Sequence, residues 1–207
     1  MENIVKFDKP YKFEGKEYDS LDLSGMEKMT VQDLIDVQKN IGNEMVAMSV
    51  MEMSTAFAQE MAVKATGKPV EFFKLMPRSK IKKVQAAIIK SMDNSEKADE
   101  IKKQLESHAL KFAAPYTYEG SEKAELKGQT FDGVDLSGVG ELNTMSESTA
   151  ENRMVAGGFA LVNTHRNYLY CCIIASMGTG YPVDFFAGLP LSEAVKLRDA
   201  VNADFFE

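Results

Sequence analysis

Tyr18-Asp-Ser-Leu-Asp-Leu-Ser-Gly25 recurs as Phe131-Asp-Gly-Val-Asp-Leu-Ser-Gly138, and Thr66-Gly-Lys-Pro-Val-Glu-Phe-Phe73 recurs as Thr179-Gly-Tyr-Pro-Val-Asp-Phe-Phe186. Both pairs stand 113 positions apart, and Pro77 with Pro190, Ser79 with Ser192 and Lys83 with Lys196 keep that spacing. A fixed long period marks a duplicated structural unit, each copy repeating one set of turns and apolar faces. The 207 residues therefore divide into a first unit over 1–94, an interposed segment over 95–113 and a second unit over 114–207.

Each unit opens on alternating residues around a glycine, Tyr11-Lys-Phe-Glu-Gly-Lys-Glu-Tyr18 and Ala124-Glu-Leu-Lys-Gly-Gln-Thr-Phe131, the period-two pattern of a β-hairpin. Pro115-Tyr-Thr-Tyr-Glu-Gly120 also resembles Pro10-Tyr-Lys-Phe-Glu-Gly15, which leaves either an eight-residue insertion after Gly120 or a second strand pair. A lone hairpin is marginal, so it must pack on the helices that follow. Thr30 is placed to cap a helix carrying Leu34, Val37, Ile41 and Met45, and the next carries Val50, Met53, Phe57 and Met61.

Thr-Gly-x-Pro reads as helix punctuation: Gly67 ends one helix, and Pro69 opens a short turn over 70–76 that buries Phe72 and Phe73. Ile81, Val84, Ile88 and Met92 mark another helix. The second unit repeats this with Tyr170, Ile174, Val183, Phe185, Phe186, Leu189, Val195 and Val201, loosened at Gly157-Gly158. Ile101, Leu105, His108 and Phe112 predict an amphipathic helical linker. The expected fold class is α+β, mainly helical: two repeats of a β-hairpin followed by about three or four helices, joined by that linker.

Little reactive chemistry survives comparison of the copies. His108, His165, Cys171 and Cys172 have no counterparts of their own type, and no metal-ligand spacing, Walker pattern or G-x-G-x-x-G loop is present. The polar residues that do recur are Asp19 with Asp132, Asp22 with Asp135, Ser24 with Ser137, and Glu71 with Asp184. Between strand and helix these types serve turns and caps, a reading that competes with paired-carboxylate acid–base chemistry. The adjacent cysteines read as reduced, buried thiols, and the expectation is no catalytic centre, no cofactor and no metal.

Net charge is −7, unevenly spread: residues 1–112 carry 18 basic and 18 acidic groups, residues 113–207 carry 6 and 13. An acidic half repels phosphate backbones, so nucleic-acid binding is disfavoured even though Arg78, Lys80, Lys82 and Lys83 cluster. No apolar run approaches the roughly 20 residues of a membrane span and residues 1–17 lack a signal-peptide core, so no membrane association and a cytoplasmic location are expected. Among thirteen methionines, Met45, Met48, Met51, Met53 and Met61 crowd one region. They could fill a core or, being flexible and polarisable, line a groove for an apolar client. The candidate partner surface is Met45, Met48, Met51, Met53, Phe57, Phe72, Phe73, Phe185 and Phe186.

Together Tyr11-Lys-Phe-Glu-Gly-Lys-Glu-Tyr18, Leu21-Asp-Leu-Ser-Gly25, Thr30-Val-Gln-Asp-Leu-Ile35 and Ala62-Val-Lys-Ala-Thr-Gly-Lys-Pro-Val-Glu-Phe-Phe73 resemble the bacteriophage tail assembly chaperones of contractile-tailed phages and prophages. The first unit matches over nearly its whole length, and the second matches through Asp132–Ser137 and Gly178–Phe186 but departs over 145–163. The resemblance implies a non-enzymatic protein of the bacterial host cytoplasm that binds the tape-measure protein and tail-tube subunits, with self-association as a further expectation. The competing readings are a structural virion or tail component, and a small DNA-binding regulator.

Overall fold

A computed structural model describes residues 3–42, 51–92 and 107–206. Strand β1 (Ile4–Phe13) pairs antiparallel with β2 (Lys16–Asp22), and β3 (Ala109–Thr117) with β4 (Thr130–Asp135). Val5 faces Leu21 as Leu110 faces Val134, and Tyr11 faces Tyr18 as Tyr116 faces Phe131. Both ladders slip between these pairs, where Pro10 and Pro115 have no N–H to donate.

Two sequence expectations are corrected here. Residues 109–113 are strand, not the end of a helical linker: Leu110 is buried, Lys111 exposed and Phe112 half-buried, a period of two, and β4 pairs with this stretch. Residues 95–106, with Ile101 and Leu105, lie outside the described residues. Ala124–Leu126 is a short 3-10 turn rather than a strand, so the second hairpin is β3 with β4. Equivalent residues are 105 positions apart on β3 (Tyr11, Tyr116) and 113 apart on β4 (Tyr18, Phe131), which places an eight-residue insertion in the hairpin loop. Asp184 pins that loop by accepting the Tyr118 hydroxyl at 2.5 Å and the backbone N–H of Ser121 and Glu122 at 2.8 and 3.0 Å.

The helices run in the same order in each unit. They are α1 (Val31–Gly42), α2 (Thr55–Thr66), α3 (Val70–Lys74) and α4 (Arg78–Met92), then α5 (Thr144–Ala156), α6 (Tyr168–Thr179), α7 (Val183–Ala187) and α8 (Ala194–Phe205). Helix α2 begins later than its methionine spacing implies, because Ser54 accepts the Phe57 N–H at 3.0 Å and caps it. Met53 therefore sits in a preceding 3-10 turn.

The repeated motifs are explained by packing. Gly67 and Gly180 close α2 and α6 in the left-handed conformation, and Thr66 and Thr179 each donate a hydroxyl to the carbonyl four residues back at 2.7 Å. The Phe72 ring meets Tyr11, Phe13 and Tyr18 at 5.0–5.1 Å, and Tyr11 donates its hydroxyl to the Phe72 carbonyl at 2.8 Å. Phe185 receives Tyr116 and Phe131 in the same way at 5.2 and 5.0 Å. Each Pro-Val-acid-Phe-Phe run is thus an aromatic plug beneath its hairpin, with edge-to-face geometry that adds to area burial.

Candidate functional site

The two units share one continuous core and meet at a joint built from unlike parts of each. Val31 donates its N–H to Leu189 C=O, and Leu191 donates its N–H to Met29 C=O, both at 2.9 Å, forming a one-residue antiparallel bridge between Thr30 and Pro190. Helix α1 then lies against α6, α7 and the turn Leu191–Glu193. Gln38, itself buried, donates to Arg166 C=O and accepts the Tyr168 N–H, each at 2.9 Å.

Beyond Gln38 a polar cluster crosses the joint. Arg198 donates to Glu52 at 3.1 Å and to the Tyr168 hydroxyl at 3.2 Å, and its other guanidinium nitrogen pairs with Asp199 at 2.9 Å. Burial disfavours the Arg198 charge, but Tyr168, Asp199 and Glu52 outweigh it and hold the guanidinium protonated. Beside this cluster lies a cleft of about 280 Å³ whose apolar lining is Met53, Ile89, Met92 and Val195, with Glu52, Arg166 and Arg198 as its polar lining.

The sequence-derived partner surface separates into three groups. Phe57, Phe72, Phe73, Phe185 and Phe186 are buried to 1% exposure or less, so they are core rather than contact residues, with α3 packed against α2 and α7 against α6. Met51 is half-buried against the core, whereas Met53 is 59% exposed and reaches the cleft. Met45 and Met48 lie outside the described residues.

Gln38, Glu52, Tyr168 and Arg198 were missed because they break the repeat. Their counterparts are Glu151, His165, Thr55 and Gln85, and that divergence was the available signal.

The reactive side chains are placed structurally. Asp22 and Asp135 accept the N–H of Ser24 and Ser137 at 2.8 and 2.9 Å, the turn role expected for them. Cys171 and Cys172 are buried, and burial raises both thiol pKa values, that of Cys171 to about 12. Among the described residues no group of three or more His, Cys, Asp or Glu is placed to hold a metal, and no helix is long and apolar enough to cross a membrane. No known protein family, curated relative or solved structure matches the chain.

Proposed function

We propose that the chain is a non-enzymatic phage tail assembly chaperone that binds the tape-measure protein and tail-tube subunits in the cytoplasm of a bacterial host. The observation that carries this reading is the sequence resemblance, whose motifs all serve a scaffold: hairpin, aromatic plug, helix punctuation and caps. The cleft at the joint supports it, since Met53, Met92 and Ile89 offer an adaptable apolar lining and Arg166 suits an acidic flank. A long helical client would present both kinds of residue along one face.

Co-expression with the tape-measure and tail-tube proteins tests the reading. A soluble complex that co-purifies is expected, and separate elution of all three would end it. Mass spectrometry of mature particles distinguishes the structural-component alternative, in which the chain stays in the virion.

A further inference from the structure

The internal joint sets the first unit's α1 and residues 29–31 against the second unit's α6, α7 and residues 189–191. A contact between unlike patches of equivalent units is heterologous, and it leaves one copy of each patch unused. The unused copies are α5 with residues 142–144 on the second unit, and α3 with residues 76–78 on the first. The groups that would repeat the bridge are the carbonyls of Leu142 and Met76 and the N–H groups of Thr144 and Arg78. They make no backbone hydrogen bond among the described residues.

The side chains of the two free patches differ from the joint in a matched way. Val31 and Gln38 both bond the second unit, so the α1 stripe between them, with Leu34 and Ile35, faces the joint, and all four are buried. Their counterparts on α5 are Thr144, Glu147, Ser148 and Glu151. On the opposing patch, buried Ala187 and Leu191 correspond to exposed Lys74 and Arg78. At the matching positions of the internal joint Val31, Leu34, Ile35, Ala187 and Leu191 are apolar, whereas one free patch carries carboxylates and the other cations. None of these four charges forms an ion pair among the described residues.

We infer that the chain associates head to tail with further copies of itself, the α5 patch of one copy docking on the α3–α4 patch of the next as the two units dock within the chain. Glu147 and Glu151 meet Lys74 and Arg78. Repetition of the same step gives an open filament or, if the rotation closes, a ring. Because exposed opposite charges carry the contact, salt weakens it, while the buried internal joint persists. The inference stands apart from the chaperone reading.

Sedimentation velocity of the full chain at low and high salt is the test. Species larger than the monomer are expected at low salt and are lost at high salt. The variants E147K/E151K and K74E/R78E, checked for fold by circular dichroism, should each lose association by about tenfold or more. Mixing the two variants should restore it, since every carboxylate patch again meets a cationic one. A monomer under all conditions, an oligomer indifferent to both variants, or no recovery on mixing overturns the inference.

Discussion

Gln38 and Tyr168 are joined across the two units by a buried hydrogen bond of 2.9 Å, and the same amide donates to Arg166 C=O. Replacing Gln38 with alanine leaves the Tyr168 N–H and the Arg166 carbonyl without their partner at the start of α6. Each buried polar group so orphaned costs about 1–3 kcal/mol. Gln38→Ala is therefore expected to lower the urea midpoint of the whole chain in one cooperative transition, because the core is continuous across the joint. Two separate transitions, or an unchanged midpoint, would show that the joint contributes nothing to folding.

The glycine of each Leu-Ser-Gly run is required by close backbone approach. A Cβ at Gly25 would stand 1.9 Å from the Ala65 carbonyl oxygen, and one at Gly138 would stand 2.3 Å from that of Gly178. Gly67 is different: its surroundings are open, and only its φ of +66° opposes a side chain. Gly67→Ala should cost about 1 kcal/mol, and Gly25→Ala distinctly more, since the helix end must move. Denaturant titration of the two variants ranks them, and equal losses would contradict the packing account.

Phe72 lies in the core, and Met53 is exposed at the cleft proposed to receive the client. Phe72→Ala is expected to destabilise by about 3–5 kcal/mol, visible as loss of near-ultraviolet circular dichroism, because four aromatic rings pack on it. Met53→Ser should change stability by no more than about 0.5 kcal/mol while weakening capture of a tape-measure segment in a pull-down. A stable Phe72→Ala protein, or full capture by Met53→Ser, would reverse these assignments.

Much of this architecture was legible because a duplicated chain carries its own comparison. Thr-Gly-x-Pro and Leu-Asp-Leu-Ser-Gly encode local turns, and their repetition exposed both the period and the helix punctuation. What failed was non-local. Phe112 fits a helical stripe as well as a strand, and only the pairing of its strand with β4 decides between them. The partner surface failed for a related reason: Phe57, Phe72 and Phe185 are apolar whether they face a client or a core, and burial is set by what folds over them. The joint stayed hidden because its polar members, Gln38, Glu52 and Arg198, lack counterparts of their own type.

Asp33 predicts how stability responds to acid. Burial works against its carboxylate, but the Thr30 N–H at 3.0 Å and the Lys64 ammonium at 2.9 Å outweigh it and hold its pKa below the usual value. A depressed folded pKa contributes stability that is present above the unfolded value of about 3.9 and lost as pH falls through the folded value. Both side chains are about one-third exposed, at 33% and 27%, so screening limits the effect. Asp33→Ala should cost about 0.5–1 kcal/mol at neutral pH. Its stability curve should converge on that of the wild type in acid, whereas a constant difference down to the lowest pH would rule out ionisation as the source.

The two thiols report on the opening of α6. Cys171 and Cys172 are buried, Cys171 is pushed up to about 12, and Cys172 also lies well above the ordinary value. The thiolate is the reactive form, so burial keeps both thiols protonated and unreactive even before access is considered. Adjacent positions on one helix also point apart, against a mutual disulfide. Iodoacetamide should therefore add nothing to the native chain and two groups after unfolding, read by intact mass. Labelling that keeps pace with global unfolding is expected. Rapid labelling in native buffer would instead place α6 at a locally opening surface and remove it from the joint.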